Sequence, residues 1–475
     1  MSELFTNPVT APLTIPAGTT ISVTADPTQY EGLRAIDLSA RPGETEPSLV
    51  NHGDVEITAV GNSGIAVVYI ENFSPVLHAV VENDGVMMAS APGDRFYPGF
   101  AHGFWANSWS PDFINTGTVK ILGGYSAIAV ESWDSRFHVD NSGLIVAQGG
   151  SSAFGIYAAN GGVVSNNGTI SITSGDGTQA IGVSFPNGHG EVDNTGTISA
   201  SDPNLSTPYA YGVALFPGGS NVVINHGTIS GDYAIYETSS FNAPQLAGAH
   251  IENYAQMSGD VQLAQDPDTI LNSGVMSGAI SLGAGNDTYN GSAGTVTGLV
   301  SGNDGDDVLV GGAAADSLQG NAGNDTENGG AGDDIVVGGK DNDSQTGDAG
   351  NDIVWGNLGN DTLDGGAGND QVRGGQGDDS ISGGAGNDFI SGDRGNDTES
   401  GGPGADIFHG SQDAGIDKVL DFNLAEGDRV QLDPGTTYTV TQVGADTVID
   451  MGGANQMILV GVQMSTLTGA WIFEG

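Results

Sequence analysis

The apolar residues of this chain fall into short runs at two different periods. From residue 46 to 280 the runs are rich in β-branched side chains, and each is interrupted by an Asn-x-Gly step with an apolar residue before it and a strand-like segment after it. The step occurs at Asn51-His52-Gly53, Asn83-Asp84-Gly85, Asn115-Thr116-Gly117, Asn141-Ser142-Gly143, Asn166-Asn167-Gly168, Asn194-Thr195-Gly196, Asn225-His226-Gly227 and Asn272-Ser273-Gly274, with Asn253-Tyr254-Ala255 a degenerate copy. Its spacing of about 19 to 32 residues is within the range of solenoid repeats. A further apolar run recurs between the steps, at residues 64–68, 127–130, 155–158, 181–183 and 212–215. Each repeat therefore reads strand, turn, strand, variable loop, strand, which predicts one coil of a right-handed parallel β-helix. The Asn and Gly are expected to supply a left-handed turn, and stacked Asn side chains to form a hydrogen-bonded ladder. A tandem of β-sandwiches is the alternative reading.

From residue 302 to 409 the period shortens to nine, without insertion or deletion. Asp307, Asp316, Asp325, Asp334, Asp343, Asp352, Asp361, Asp370, Asp379, Asp388, Asp397 and Asp406 stand at every ninth position. Units such as residues 365–373 and 383–391 follow the pattern G-G-x-G-x-D-x-U-x, with U apolar. The glycines permit positive φ in a tight turn and let carbonyls face one point. The last three residues form a short strand, with U pointing inward. Because nine is odd, two units bring the chain round once, and stacking sets Asp(n) beside Asp(n+18). Two carboxylates and several carbonyls then converge in the oxygen-rich surroundings that calcium prefers, and the run holds about ten such cages. Glu327, Gln345 and Glu399 depart from the pattern at U, on one face. Either that side has a thin, imperfect core, or these side chains reach another cation or partner.

These units resemble the parallel β-roll of the repeats-in-toxin (RTX) family, over about a quarter of the chain. The resemblance implies calcium-dependent folding, export by the type I secretion machinery and an extracellular or cell-surface destination. The preceding segment is similar to the parallel β-helices of secreted bacterial surface proteins. Together they predict an all-β chain: an N-terminal β-cap (1–45), the β-helix (46–280), a junction (281–301), the roll (302–410), and an antiparallel C-terminal β-cap with the secretion signal (411–475). The junction holds one isolated unit ending at Asp287, twenty residues before Asp307 and so out of phase by two. Asp287 joins the expected calcium ligands, and helix and roll are expected to stack coaxially. After Asp406, alternating residues over 438–443, 447–450 and 456–460 predict antiparallel strands, and residues 471–475 form the apolar, acidic tail common in such signals.

Composition narrows the function. The chain has 58 acidic residues against 10 basic ones, a net charge of −48, which leaves no basic patch to meet nucleic acid. It has no cysteine, so neither disulfides nor zinc thiolates contribute, and calcium is expected to do the stapling. Residues 1–6 do not begin a Sec-type signal, and no apolar stretch approaches a membrane span.

The chemistry expected of the helical part is modest. Aromatic residues crowd residues 96–137, with Trp105, Trp109 and Trp133 near Arg95 and Arg136. Exposed, they would suit stacking on sugar rings and cell-surface glycan; buried, they would pack one long loop. His52, His78, His102, His138 and His189 share no metal-ligand spacing. Polysaccharide lyases and mannuronan epimerases combine a β-helix with RTX modules, but no grouped acid, base and cationic neutraliser emerges here, and no catalytic residue is assigned. The expectation is a self-associating, calcium-dependent structural protein of the bacterial surface. A carbohydrate-active enzyme or a glycan-binding adhesin is the alternative.

Overall fold

The computed structural model describes residues 13–15, 20–24, 33–37, 48–51, 54–58, 65–71, 79–91, 100–107, 111–175, 179–187, 189–202, 210–215, 220–237 and 248–475. Among them regular structure is almost wholly strand, the exception being a single 3-10 turn at Met464–Thr466. The chain divides into two compact units, one formed by Met1–Asp266 with Val275–Gly278 and the other by Pro267–Gly274 with Ala279–Gly475.

In the first unit the described coils from residue 111 to 215 each have the three predicted strands. Those that end on the repeated Asn pair in parallel, among them Pro111–Asn115, Phe137–Asn141, Gly162–Asn166 and Gly190–Asn194. The strands after the turn do the same, as in Thr118–Gly123, Leu144–Gly149, Thr169–Ser174 and Thr197–Ser201. So do Ser126–Ser132, Ser152–Ala158, Gln179–Phe185 and Ala210–Leu215. Alternate side chains such as Phe113, Val139, Val164 and Val192 point inward and are fully buried, as the period of two requires. The described parts of residues 1–45 have the same organisation. Leu13–Ile15, Thr20–Thr24 and Leu33–Asp37 pair in parallel with the next three strands.

The asparagines form the expected ladder. Each Nδ2 donates to the Oδ1 of the asparagine one coil on, through Asn51, Asn83, Asn115, Asn141, Asn166, Asn194, Asn225 and Asn253, at 2.7–2.9 Å. The degenerate copy at Asn253 is a full member.

The expected reason for the glycine was wrong. None of these asparagines, nor Gly117, Gly143, Gly168, Gly196 or Gly227, has left-handed backbone. The glycine is needed for closeness instead: a Cβ on Gly168 would strike the Gly143 carbonyl, and one on Gly196 the Gly168 carbonyl.

In the second unit each rung contributes strands to two parallel sheets. One sheet buries Leu318, Val336, Val354, Val372 and Ile390 in register, and the other Leu309, Glu327, Gln345, Leu363, Ile381 and Glu399. The two columns face each other across a core about one side chain deep on each side. The three antiparallel strands expected near the C-terminus are Thr439–Val443, Asp446–Asp450 and Gln456–Leu459. Rung-type parallel pairing nevertheless runs past Asp406: Ile416–Val419 lies on Thr398–Ser400, and Arg429–Leu432 on Ile407–Gly410.

Candidate metal centre

The nine-residue aspartates are all buried, none more than 5% exposed. Each uses its two oxygens differently. The Oδ1 accepts the backbone N–H of the aspartate eighteen residues earlier, from Asp307 N to Asp325 Oδ1 through Asp388 N to Asp406 Oδ1, at 2.7–2.9 Å. The Asp(n)/Asp(n+18) adjacency read from the period is thus a direct bond. Asp287 is in the same column despite its phase shift, donating its N–H to Asp307 Oδ1 at 2.8 Å.

The Oδ2 atoms of Asp287, Asp307, Asp325, Asp334, Asp343, Asp352, Asp361, Asp370, Asp379, Asp388, Asp397 and Asp406 are buried without a hydrogen-bond donor. Asp316 differs, its Oδ2 accepting the Gly312 N–H at 2.6 Å. An ionised oxygen away from water and without a donor is strongly disfavoured, and the carboxyls respond. Burial, with smaller contributions from neighbouring carboxylates, pushes Asp307, Asp343, Asp379 and Asp388 up to about 7. Asp287, Asp325, Asp334, Asp370 and Asp406 rise to about 6, mainly through burial and against the backbone hydrogen bond each receives.

The surroundings of Oδ2 suit a hard cation. A Cβ placed on Gly383 would meet Asp388 Oδ2 at 2.7 Å and the Gly401 carbonyl oxygen at 2.9 Å. Carboxylate and carbonyl oxygens therefore converge on one point beside a glycine, close enough for a cation with oxygen distances of about 2.3–2.6 Å to touch both. Among the described residues no group of three or more His, Cys, Asp or Glu side chains could hold a metal. A site of this kind would draw on backbone carbonyls for the rest of its ligands.

The glycines of the unit serve two purposes. Gly383 and its equivalents sit where a side chain would fill the space beside Oδ2, whereas Gly384 (φ +103°) and Gly386 (φ +150°) have left-handed backbone. Where the unit lacks glycine at the second position, Asn303, Asn321, Asp348, Asn357 and Asp393 take positive φ instead, as their short polar side chains allow. Gly386→Ala combines a strained φ with a Cβ directed into the Gly368 carbonyl. It should cost on the order of 2–4 kcal/mol, read as a lower melting temperature of the calcium-loaded protein, while Ala385→Ser on the exposed neighbouring position stays within about 0.5 kcal/mol.

Three members of the column escaped the sequence reading. Asp268 donates its N–H to Asp287 Oδ1 at 2.7 Å, Asp417 Oδ1 accepts from Asp397 N at 3.2 Å, and Asp428 Oδ1 from Asp406 N at 3.1 Å. All three are 1% exposed. Their spacings are 19, 20 and 22 residues, so a search at strict period passes over them. A second, exposed ladder also went unassigned. The Asn or Asp before most of these aspartates accepts the backbone N–H one rung on, as in Asn351 to Asn369 to Asn387 at 2.9–3.0 Å.

The polar U residues are buried. Glu327 is 1% exposed, Gln345 3% and Glu399 0%. Burial, reinforced by Asp343 and Asp325, pushes Glu327 up to about 9; burial with Asp417 and Asp397 raises Glu399 well above the carboxylate range.

The aromatic segment is divided between inside and outside. Phe104, Phe113 and Phe137 are buried in the coil core, with ring centroids 4.9 and 6.2 Å apart. Trp133 is 44% exposed, donates its indole N–H to Glu131 at 2.8 Å and lies against Tyr157. Trp105 is partly exposed and stands beside Glu131 in the sheet. Arg136 is exposed near Asp134, at 3.6 Å. Arg95 and Trp109 lie outside the described residues.

Comparison with known families agrees with the geometry. A profile for the RTX calcium-binding nonapeptide repeat, in four copies, matches residues 280–297, 301–336, 328–363, 337–372 and 364–399. No match is found among curated proteins. RTX nonapeptide repeats bind calcium, and the chain joins a roll of this type to parallel β-helical coils. The matched residues include Asp287 and Asp307 through Asp397; the structural column extends beyond them in both directions.

Proposed function

We propose that this RTX protein is a secreted, calcium-dependent structural component of a bacterial cell surface that folds and associates with copies of itself outside the cell. The observation that carries the calcium part is the file of buried aspartates, which, Asp316 apart, have one oxygen tied to a neighbouring rung and the other lacking a donor. A bound calcium ion supplies two positive charges to a pair of these carboxylates. The chain provides everything else: Oδ1 holds the rung spacing, the glycines keep the space beside Oδ2 clear, and the left-handed positions turn the carbonyls. Asp287, Asp307 and the following aspartates to Asp406 are the ligands we assign, with Asp417 and Asp428 added. Cytosolic calcium is too scarce to fill sites of ordinary extracellular affinity, so folding is coupled to export through a type I channel.

Outward-facing apolar side chains support the self-association. Ile335, Trp355 and Leu358 are 38–42% exposed on one parallel sheet, in register with Ile353, Val337 and Lys340. Such patches on an otherwise acidic surface mark contact surfaces. Electron microscopy of the purified protein is expected to show sheets or filaments when millimolar calcium is added and none in chelator. Monomers at high concentration in calcium, by light scattering, would rule out the assembly.

Trp133, Tyr157 and Arg136 favour a second reading, a glycan-binding adhesin. Its mark would be a glycan-array signal that Trp133→Ala abolishes. Alginate or pectin turnover, with new reducing ends or unsaturated uronates, would point to the enzyme class instead.

A further inference from the structure

The roll core is apolar on one side and interrupted on the other. The column from Leu318 to Ile390 is unbroken by polar residues, whereas its opposite holds Glu327 and Gln345 on adjacent rungs, paired directly across the parallel sheet. Both Glu327 oxygens and Gln345 Oε1 are buried without a hydrogen-bond donor, while Gln345 Nε2 is anchored on the Trp355 carbonyl at 3.0 Å. The neighbouring Gly320 amide approaches Glu327 but falls short of a well-formed hydrogen bond. Among the described residues no Lys, Arg or His forms an ion pair with Glu327, Asp325 or Asp343.

The position of Glu327 gives one of its orphan oxygens a target in common with Asp325. Asp325 Oδ2 and Glu327 Oε1 both lie within 2.6 Å of the point where a Cβ on Gly320 would sit. They are thus close enough for one cation with oxygen distances of about 2.3–2.6 Å to reach both. We infer that Glu327 and Asp325 form an interior divalent-cation site in which calcium gains a carboxylate that no ordinary rung offers.

The inference rests on the reading of the roll as calcium-binding and adds to it a ranking of sites. Calcium affinity increases with the number of anionic oxygens around the ion. This rung therefore fills first and seeds the folding of its neighbours. Glu399, the other buried acid of the column, is a useful contrast, because its Oε1 already accepts the Gly392 N–H at 2.8 Å. It has only one oxygen free of a donor, against two at Glu327.

The test uses the full chain, calcium alone as ligand, and two readouts: bound ions counted by native mass spectrometry, and affinity by calorimetric titration. Glu327→Leu combined with Gln345→Leu restores the leucine found at positions 309 and 363 of the same column, so the fold is not placed at risk. The expected result is loss of one calcium ion and of the tightest binding class, with a rise of at least about tenfold in the calcium concentration needed to begin folding. Glu327→Gln, which keeps shape but removes charge, should weaken that class to a similar degree. An unchanged ion count and folding threshold in the double variant, with wild type binding calcium normally, would overturn the inference and leave the calcium reading intact. Wild type that binds no calcium would overturn both.

Discussion

Chelating calcium from the folded protein at about pH 7.5 is expected to abolish the β-signal of the second unit in circular dichroism while the coils of the first unit persist. Stacked carboxylates are held together with one oxygen each left without a donor, and at that pH those raised only to about 6 or 7 are largely ionised. Without a counter-charge they repel along the whole file. With each site at ten times its dissociation constant, calcium contributes about 1.4 kcal/mol per site, and about ten sites together reach about 14 kcal/mol, comparable with the stability of a whole domain. An unchanged spectrum in excess chelator would end the account.

Acidification should partly reverse the effect. These aspartates have folded pKa values raised above their unfolded value of 3.8, so the metal-free folded roll binds more protons than the unfolded chain. Their contribution to metal-free stability is fully present below the unfolded pKa and is lost as pH rises through about 6 to 7. Metal-free protein is therefore expected to gain β-structure on titration from about pH 8 to about pH 4, while calcium affinity falls over the same window because protons compete for the same oxygens. A metal-free roll that becomes less ordered on acidification would contradict the assignment of burial as the cause.

Asn166→Leu should produce a large loss of stability in the first unit. Asn166 accepts from Asn141, donates to Asn194, and also reaches the Thr197 carbonyl at 3.1 Å, with no exposure to water. Leucine leaves a buried donor on Asn141 and a buried acceptor on Asn194. Each orphan costs about 1–3 kcal/mol, so a loss on the order of 3–5 kcal/mol is expected. Asn166→Ala should be similar, because the damage comes from unsatisfied partners more than from volume. Thermal unfolding followed in chelator isolates this unit from the calcium-dependent one. A change below about 1 kcal/mol would mean that the ladder is incidental.

Several elements could be read without coordinates because their cause is local or strictly periodic. Glycine at positive φ, an inward U and an aspartate every nine residues each leave a mark on single positions, and the register of Asp(n) with Asp(n+18) follows from counting. The Asn ladder was legible for the same reason, since each asparagine ends a strand of four or five residues.

The misreadings have equally specific causes. Gly168 and its equivalents resemble turn glycines in sequence, but what excludes a side chain there is a carbonyl one coil away, which no local pattern records. Asp417 and Asp428 were hidden because extra residues bulge out of the rung while the inward aspartate keeps its place. Which aromatics face the core depends on strand phase, so Phe104 is buried while its neighbour Trp105 is partly exposed, and composition alone could not separate them.

The sequence by itself therefore determined the repeat, the solenoid class and the register of the aspartates, because repetition writes a stacking rule into every unit. Only the tertiary structure decided that one aspartate oxygen is consumed by the neighbouring rung while the other is buried without a donor, and that Glu327 and Gln345 bring further oxygens to the same interior. Those facts depend on distances between residues eighteen positions apart, where close packing and the exclusion of water, more than residue type, set what each oxygen can bind.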